Sequence, residues 1–356
     1  MIPRARTLVA AAIGGALLMA SALTGTASAA TSYIYSATLA KTEADAKKVA
    51  EYWKPDRLKK ADSSTPATPG AKSTATSAAA ATAGPKTSAA PKTAATPVRD
   101  VLPAAPAKGG PARTMGKVFF LFGGKEYWCS ASAVASKGHN LVATAGHCAY
   151  DVRQSAPADN WIFVPNPGAD GSTPDGFYVG ATLSMHEDWA GQADYDRDFA
   201  FVTVHRGYRW VTGKDGSLDL QDAGQLQDNV GGQGLTTGKG FRNQITAFGY
   251  PAGAQPNGTR PFDGRTLKTC EGMTNKTVAP ARGLDQGVQL RGCDFSAGAS
   301  GGPWLLNFQP STKLGVLNGI NSLTWQGTQG KYDAISSPAF TAVTYEVYRH
   351  AEGRDS

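Results

Sequence analysis

A single serine, Ser300, lies among glycines in the segment SAGASGGPW, residues 296–304. A serine hydroxyl is a weak nucleophile until a neighbouring base accepts its proton. Because glycine allows sharp bends that a bulky residue would obstruct, the backbone N–H groups of Gly298 and Ser300 could converge on one developing negative charge. The segment therefore predicts a nucleophile, Ser300, beside an oxyanion hole formed by Gly298 and Ser300.

The candidate base is His147, which lies in the segment TAGHC directly before a cysteine. A disulfide at Cys148 would fix the imidazole in place, where it could accept the proton of Ser300 as the serine attacks a carbonyl. The other histidines have no comparable segment around them, and we assign no role to His139, His186, His205 and His350.

A carboxylate could orient that imidazole and stabilise the imidazolium that forms. The segment DYDRDFAFVTV offers three aspartates at alternate positions: Asp194, Asp196 and Asp198. Similar alternation occurs in calcium-binding loops, but Phe199 stands where that loop needs glycine and His205 where it needs glutamate. We therefore reject a metal site, and nothing in the sequence implies an organic cofactor.

TAGHC followed much later by GASGGP resembles the chymotrypsin-like serine peptidases, in particular the secreted bacterial branch that includes the glutamyl endopeptidases. The resemblance covers roughly residues 115–350. It implies an endopeptidase that hydrolyses protein or peptide substrates through a Ser-His-Asp triad and an acyl-enzyme intermediate. It also selects the acid, because the family's aspartate immediately precedes a strand, as Asp198 precedes FAFV; Asp196 is the alternative.

The resemblance implies substrate-binding or supporting roles for three further residues. Asp294 lies six residues before Ser300, the offset of the acidic pocket residue in trypsin, although a structural role beside Cys293 is the alternative. Asn321 stands where the glutamyl endopeptidases carry a histidine that helps to hold the substrate carboxylate, which argues against specificity for glutamate. Ser322 matches the family serine that hydrogen-bonds the catalytic aspartate.

Ala299 distinguishes this sequence from the vertebrate digestive members of that family. In those enzymes an aspartate at this position pairs with a newly exposed N-terminal ammonium, and the pair assembles the active site. Alanine cannot form that pair, so we expect a site that needs no such switch. An N-terminal region that restrains activity would then act by blocking the site or by assisting folding.

Two other functions fit part of the pattern. The order Ser300, Asp333, His350 is that of α/β-hydrolase esterases, but Pro303 stands where their helix should begin. Only 56 residues follow Ser300 in the 356-residue chain, and strands do not alternate with helices around it. The second alternative is a catalytically silent homologue that binds peptides or inhibitors in the same cleft.

The segments that carry these residues alternate short apolar runs with Gly, Pro, Asn and Asp, which is typical of an all-β protein. Such runs include KVFFLF, NLVATA, FAFVTVH and QITAFGY. We predict two six-stranded antiparallel β-barrels of the chymotrypsin-like kind and a C-terminal helix at PAFTAVTYEVYRHAE. The peptidase domain should span residues 114–350, with barrel one at about 115–215 and barrel two at about 235–338.

Residues 1–29 have the pattern of a signal peptide. Two arginines precede an apolar run, and an A-x-A cleavage pattern ends at Ala29. The run is too short to span a bilayer comfortably, and no second one follows. We therefore expect a secreted, extracellular monomer without stable membrane association.

Two further regions precede the predicted domain. In residues 30–61, helical periodicity places four apolar side chains on one face until Pro55 interrupts it: Ala46, Val49, Ala50 and Trp53. Residues 62–113 consist mainly of Ala, Thr, Ser, Pro and Lys and have almost nothing to bury, which predicts a disordered linker. Together they are a candidate pro-segment that is removed on maturation, as in a zymogen.

An exported protein meets an oxidising compartment, where an even number of cysteines favours disulfides. The chain has four cysteines, which allow three pairings. The spacing favours Cys129 with Cys148 and Cys270 with Cys293, since each pair closes a loop of about twenty residues.

The net charge of +7 is unevenly distributed along the chain. Residues 1–113 hold 15 of the 35 Lys and Arg but only 6 of the 28 Asp and Glu, which leaves 20 against 22 in the remainder. Because binding of phosphates requires a clustered excess of Lys and Arg, the predicted domain offers no nucleic-acid surface.

Overall fold

The computed structural model describes residues 33–63 and 98–354. The predicted signal peptide, residues 1–29, and residues 64–97 of the predicted linker lie outside the described residues. No helix within the described ranges is long and apolar enough to cross a membrane. The elements confirm the predicted fold class, because strands dominate and a helix ends the chain.

The N-terminal segment, residues 33–63, forms a strand and two helices: β1 (Ile34–Thr38), α1 (Glu43–Tyr52) and α2 (Pro55–Ser63). Thr42 caps α1, because its side chain accepts a hydrogen bond from the backbone N–H of Asp45. Pro55 begins α2, where the fixed φ of proline suits the first helical position. The predicted apolar face is buried: Ala46, Val49, Ala50 and Trp53.

Residues 98–113 belong to the region whose composition predicts a disordered linker. They contain β2 (Arg99–Val101) and make backbone hydrogen bonds to the rest of the chain. The N–H of Ala104 donates to the carbonyl of Gly232, and the N–H of Arg113 to that of Val230, both at 2.8 Å. This part of the chain therefore has defined contacts that composition alone does not predict.

Barrel one is built from β3 (Met115–Phe122), β4 (Lys125–Val134), β5 (Leu141–Thr144), β8 (Asp159–Pro165), β9 (Tyr178–His186) and β10 (Ala200–Val204); β6 (Tyr150–Asp151) and β7 (Ala156–Pro157) form a small hairpin. The six main strands pair in the order β9-β10-β5-β4-β3-β8. Pairing of β8 with Tyr178 and Val179 of β9 closes the ring, and β1 pairs with residues 182–186 of the same strand.

Strand β3 is buried along its whole length. Because side chains alternate across a strand, Val118, Phe120 and Phe122 join the interior of barrel one. Phe119 and Leu121 point to the other face and join a cluster that includes the buried residues of α1 and α2. The N-terminal segment thus covers the outer face of β3, which explains the unbroken apolar run VFFLF, residues 118–122.

Helix α3 (Glu187–Gln192) lies between β9 and β10 of barrel one. The two halves of the domain are connected by the hairpin of β11 (Gly207–Thr212) and β12 (Leu218–Gly224) and by the helix α4 (Leu226–Val230). The second half comprises β13 (Gly234–Thr237), β14 (Gln244–Gly249), β15 (Lys268–Met273), β16 (Asn275–Ala279), β17 (Leu284–Arg291), β18 (Pro303–Gln309), β19 (Leu314–Ile320), β20 (Leu323–Gln326), β21 (Tyr332–Pro338) and α5 (Ala342–Glu352).

The hydrogen bonds of the second half divide between two sheets. One has the order β15-β14-β18-β19-β13-β2 and the other β16-β17-β21-β20. Apolar residues from both sheets share one core, which includes Ile245, Leu290, Trp304 and Ile335. The closed ring of six strands that we predicted for each half is therefore seen in barrel one, whereas barrel two is enclosed by two sheets.

Two disulfides join the predicted cysteine pairs. Cys129 in β4 bonds to Cys148, and Cys270 in β15 bonds to Cys293. The chain-entropy model assigns about 3 kcal/mol to each loop of this size. The first disulfide ties the turn that carries His147 to β4.

The packing of the N-terminal segment generates a stability prediction. Trp53 is fully buried, its ring centroid lies 5.9 Å from that of Phe119, and its indole N–H donates to the carbonyl of Asn160. We expect Trp53→Ala to lower the free energy of unfolding by about 3–5 kcal/mol, measured by chemical denaturation. The exposed neighbour Lys54 provides the control, since Lys54→Ala should change it by less than about 0.5 kcal/mol. Equal effects of the two substitutions would contradict this packing.

Candidate active site

His147 lies in a 3-10 turn, Gly146–Cys148, that directly follows β5. The residue is 4% exposed, and the disulfide at Cys148 anchors the turn to β4. Cys129, His147 and Cys148 bring metal-ligand atoms close together, but the two sulfurs are bonded to each other and are not available as thiolates.

The carboxylate of Asp198 lies against the imidazole of His147. Nδ1 of His147 is 2.9 Å from Oδ2 of Asp198 and 3.1 Å from Oδ1, and the backbone N–H of His147 donates to Oδ1 at 2.9 Å. The hydroxyl of Ser322 donates to Oδ2 at 2.5 Å. Asp198 is completely buried, so these donors replace the water that an ionised carboxylate would otherwise require.

The other two aspartates of DYDRDFAFVTV have different partners. Oδ1 of Asp196 accepts the backbone N–H groups of Asp285 and Gln286, at 3.1 and 2.7 Å. Oδ1 of Asp194 accepts the N–H of Asp196. Burial raises the pKa of both carboxyls above the ordinary value, against the opposing effect of these hydrogen bonds. Neither contacts His147, so the structure brings Asp198 alone of the three to the imidazole.

Nε2 of His147 is buried and has no hydrogen-bond partner within residues 33–63 and 98–354. Since Asp198 engages Nδ1, Nε2 is the nitrogen left to exchange a proton. His147 and Ser300 line one cavity of about 360 Å³. The arrangement therefore offers an oriented base and a hydroxyl that line the same cavity.

Ser130 in β4 holds the loop that carries Ser300. Ser130 donates its hydroxyl to the carbonyl of Gly298 and its N–H to the carbonyl of Ser300, both at 2.8 Å. Gly298 has a φ of +99°, and a Cβ there would lie 2.6 Å from the carbonyl oxygen of Tyr250. Glycine is therefore required at this position. The N–H groups of Gly298 and Ser300 donate to no acceptor in the described part of the chain, which leaves both able to bind an oxyanion.

Asn321 holds the same loop from the other side. Its side-chain amide donates to the carbonyls of Ala299 and Phe248, at 2.8 and 2.7 Å, and its oxygen accepts the indole N–H of Trp304. Asn321 lines the cavity, but both of its N–H donors are engaged by the protein. These hydrogen bonds give Asn321 a structural role that the sequence did not reveal, and its role in substrate binding stays a prediction.

Asp294 does not line the cavity that contains Ser300. The residue is exposed, and its carbonyl accepts a hydrogen bond from Gln255 at 2.7 Å. Asp294 therefore lies outside this cavity, and its substrate-binding role stays a prediction.

The lining of the cavity combines apolar and aromatic side chains with polar ones, and no carboxylate lines it within the described residues. The larger side chains are Phe295, Leu323, Trp325, Tyr332 and Ile335. Arg282 is the one lining residue with a permanent charge; it is exposed, and its guanidinium lies 5.5 Å from the ring centroid of Tyr195. A second cavity, of about 440 Å³, adjoins the other side of His147 and is lined by Trp189, Tyr195 and Arg282 among others.

The fold matches solved structures of proteases. The protease Anisep from Arthrobacter nicotinovorans is 27% identical over 71% of this chain and 100% of that chain, with a TM-score of 0.55. The thermostable serine protease AL20, from an extremophilic microorganism, is 27% identical over 70% of this chain and 100% of that chain, with a TM-score of 0.56. A Glu endopeptidase in complex with MPD is more distant, at 16% identity and a TM-score of 0.48 over 72% of this chain and 97% of that chain.

No family model matches the sequence, and the search of curated proteins found no match. The structural matches nevertheless confirm the resemblance that the motifs TAGHC and GASGGP predicted. The chain has the fold of the chymotrypsin-like serine proteases and is similar in sequence to two proteases of that fold.

Proposed function

We propose that the chain is a secreted serine endopeptidase in which Ser300 is the nucleophile, His147 the general base and Asp198 the orienting acid. One observation carries the proposal: the buried carboxylate of Asp198 holds Nδ1 of His147, while Nε2 is unpartnered beside the cavity that Ser300 lines. The similarity to the serine protease AL20 and the protease Anisep supports the same chemistry. The two disulfides are consistent with an extracellular location.

The proposed reaction has two symmetrical halves. The hydroxyl oxygen of Ser300 attacks the carbonyl carbon of the peptide bond as its proton passes to Nε2 of His147. The N–H groups of Gly298 and Ser300 bind the oxyanion, and Asp198 stabilises the imidazolium. His147 then gives the proton to the departing amine, which leaves an acyl-enzyme. Water attacks this ester with the same proton transfers, which releases the acid and restores Ser300.

The cavity beside Ser300 supports substrates with an uncharged side chain at the residue before the cleaved bond. A buried charge requires a partner of opposite sign, and the lining offers no carboxylate for a lysine or arginine side chain. A glutamate side chain would lack a donor at Asn321, whose amide N–H groups are already engaged. The cation of the lining, Arg282, is exposed, so water screens its attraction for a carboxylate. We therefore propose that apolar and aromatic side chains are preferred there.

The triad predicts a steep and graded loss of activity. Ser300→Ala and His147→Ala should each lower kcat for a casein-type substrate by about 10⁶, and Asp198→Asn by about 10⁴ because the imidazole adopts the wrong tautomer. Asp196→Asn is the matched control and should retain kcat within about tenfold, since Asp196 does not contact His147. Full activity of Asp198→Asn would refute the acid assignment, and an inactive wild-type protein would favour the catalytically silent homologue.

The cavity predicts the order of substrate preference. Among peptide anilides that differ only in the residue before the cleaved bond, kcat/KM for phenylalanine or leucine should exceed that for lysine or glutamate by about 100-fold. Asp294→Asn should leave this order unchanged, because Asp294 is exposed and does not line the cavity. A preference for lysine that disappears in Asp294→Asn would instead restore the trypsin-like role of Asp294.

A further inference from the structure

A buried ion pair joins the N-terminal segment to barrel one. Nζ of Lys117 in β3 donates to Oδ1 of Asp62 near the end of α2, and the two residues are 1% and 5% exposed. Burial lowers the pKa of Lys117, and the carboxylate of Asp62 opposes that shift. An ammonium in such a position requires a carboxylate partner, because an unpaired buried charge is strongly destabilising. Asp62, which the sequence analysis placed in a disordered linker, therefore has a specific buried partner.

The same ammonium lies over two aromatic rings. Nζ of Lys117 is 4.2 Å from the ring centroid of Trp128 and 5.2 Å from that of Tyr250. A cation over an aromatic face is attracted by the negative charge of the π-system, and the attraction increases when water is excluded. Trp128 and Tyr250 are 2% and 4% exposed, so both rings meet the ammonium where water is largely excluded.

Those two residues enclose Gly298 in the candidate oxyanion hole. A Cβ on Gly298 would lie 2.7 Å from the ring of Trp128 and 2.6 Å from the carbonyl oxygen of Tyr250, which leaves no space between them and the glycine. The backbone N–H of Tyr250 also donates to the hydroxyl of Ser130, which in turn donates to the carbonyl of Gly298. A displacement of Trp128 would therefore release the backbone of Gly298.

We propose that Asp62 is a positioning residue for the oxyanion hole. Through Lys117 it keeps Trp128 against Gly298. The N-terminal segment is then required for full catalytic activity. The inference rests on the proposed peptidase function. It differs from the expectation of a blocking pro-segment, since no residue of 33–63 lines either cavity beside His147. An enzyme that discarded this segment would leave the ammonium of Lys117 without Asp62.

The test compares two aspartates of the same segment in the full-length chain. Asp62→Asn removes the carboxylate with little change of shape, and Asp45→Asn removes an exposed one that pairs with Lys48 and Thr42. Turnover of a small ester is measured per active site, counted by titration with a fluorophosphonate. We expect Asp62→Asn to lower kcat about tenfold or more with KM within about twofold, and Asp45→Asn to match the wild type. An unchanged kcat for Asp62→Asn would overturn the proposal.

The double variant Asp62→Asn with Lys117→Met separates positioning from stability. It removes both buried charges while keeping an apolar chain beside Trp128, so it remains informative even where Asp62→Asn does not fold. We expect its midpoint of thermal unfolding to lie within about 5 °C of the wild type while kcat stays at least about fivefold low, because no cation holds the ring. Wild-type kcat in the double variant would show that the pair serves stability alone, which would overturn the proposal.

The same experiment distinguishes failure of the positioning role of Asp62 from failure of the peptidase function. Wild-type turnover that Ser300→Ala abolishes supports the peptidase independently of Asp62. If that turnover is present and the Asp62 variants match the wild type, the positioning role fails and the peptidase stands. If the wild-type chain hydrolyses neither ester nor casein, the peptidase fails, and the role of Asp62 fails with it.

Discussion

The carboxylate of Asp198 is the point on which the candidate site depends. It is wholly buried, and its donors come from both halves of the domain, His147 from the turn after β5 and Ser322 from the start of β20. An ionised group in such surroundings is tolerated only when its oxygens are satisfied. The two halves must therefore meet in one geometry, and that geometry also directs Nε2 of His147 to the cavity that Ser300 lines.

The loop from Gly298 to Ser300 is held by neutral groups. Ser130 binds its carbonyls from β4, and Asn321 binds the carbonyl of Ala299. In the vertebrate digestive enzymes, the active site is assembled by an ion pair at the position of Ala299. Here a network of buried hydrogen bonds fixes the loop without any charge at that position, and an ion pair lies farther out, between Lys117 and the N-terminal segment.

Local patterns made much of this structure predictable. The segments around His147 and Ser300 carry their chemistry in five to nine consecutive residues, the disulfides close short loops, and the face of α1 follows a helical period. The unbroken apolar run of β3 also indicated burial on both faces, although not what covers the outer one.

Features that depend on distant pairing were not predictable. Asp62 and Lys117 are separated by 55 residues, and no local pattern marks either as a partner of the other. Asn321 stands in the sequence where the glutamyl endopeptidases carry a substrate-binding histidine. Its side chain nevertheless makes three hydrogen bonds to protein groups that only the fold brings together. The two-sheet form of barrel two likewise follows from long-range strand pairing.

We propose that the environment of His147 makes Ser300 a nucleophile. The most direct measurement is labelling of the full-length protein with a fluorophosphonate, followed by digestion and mass spectrometry. We expect one adduct per chain, located on Ser300, and none in His147→Ala or in denatured protein. An unlabelled Ser300 in the folded wild type, or an adduct distributed among other serines, would contradict the account.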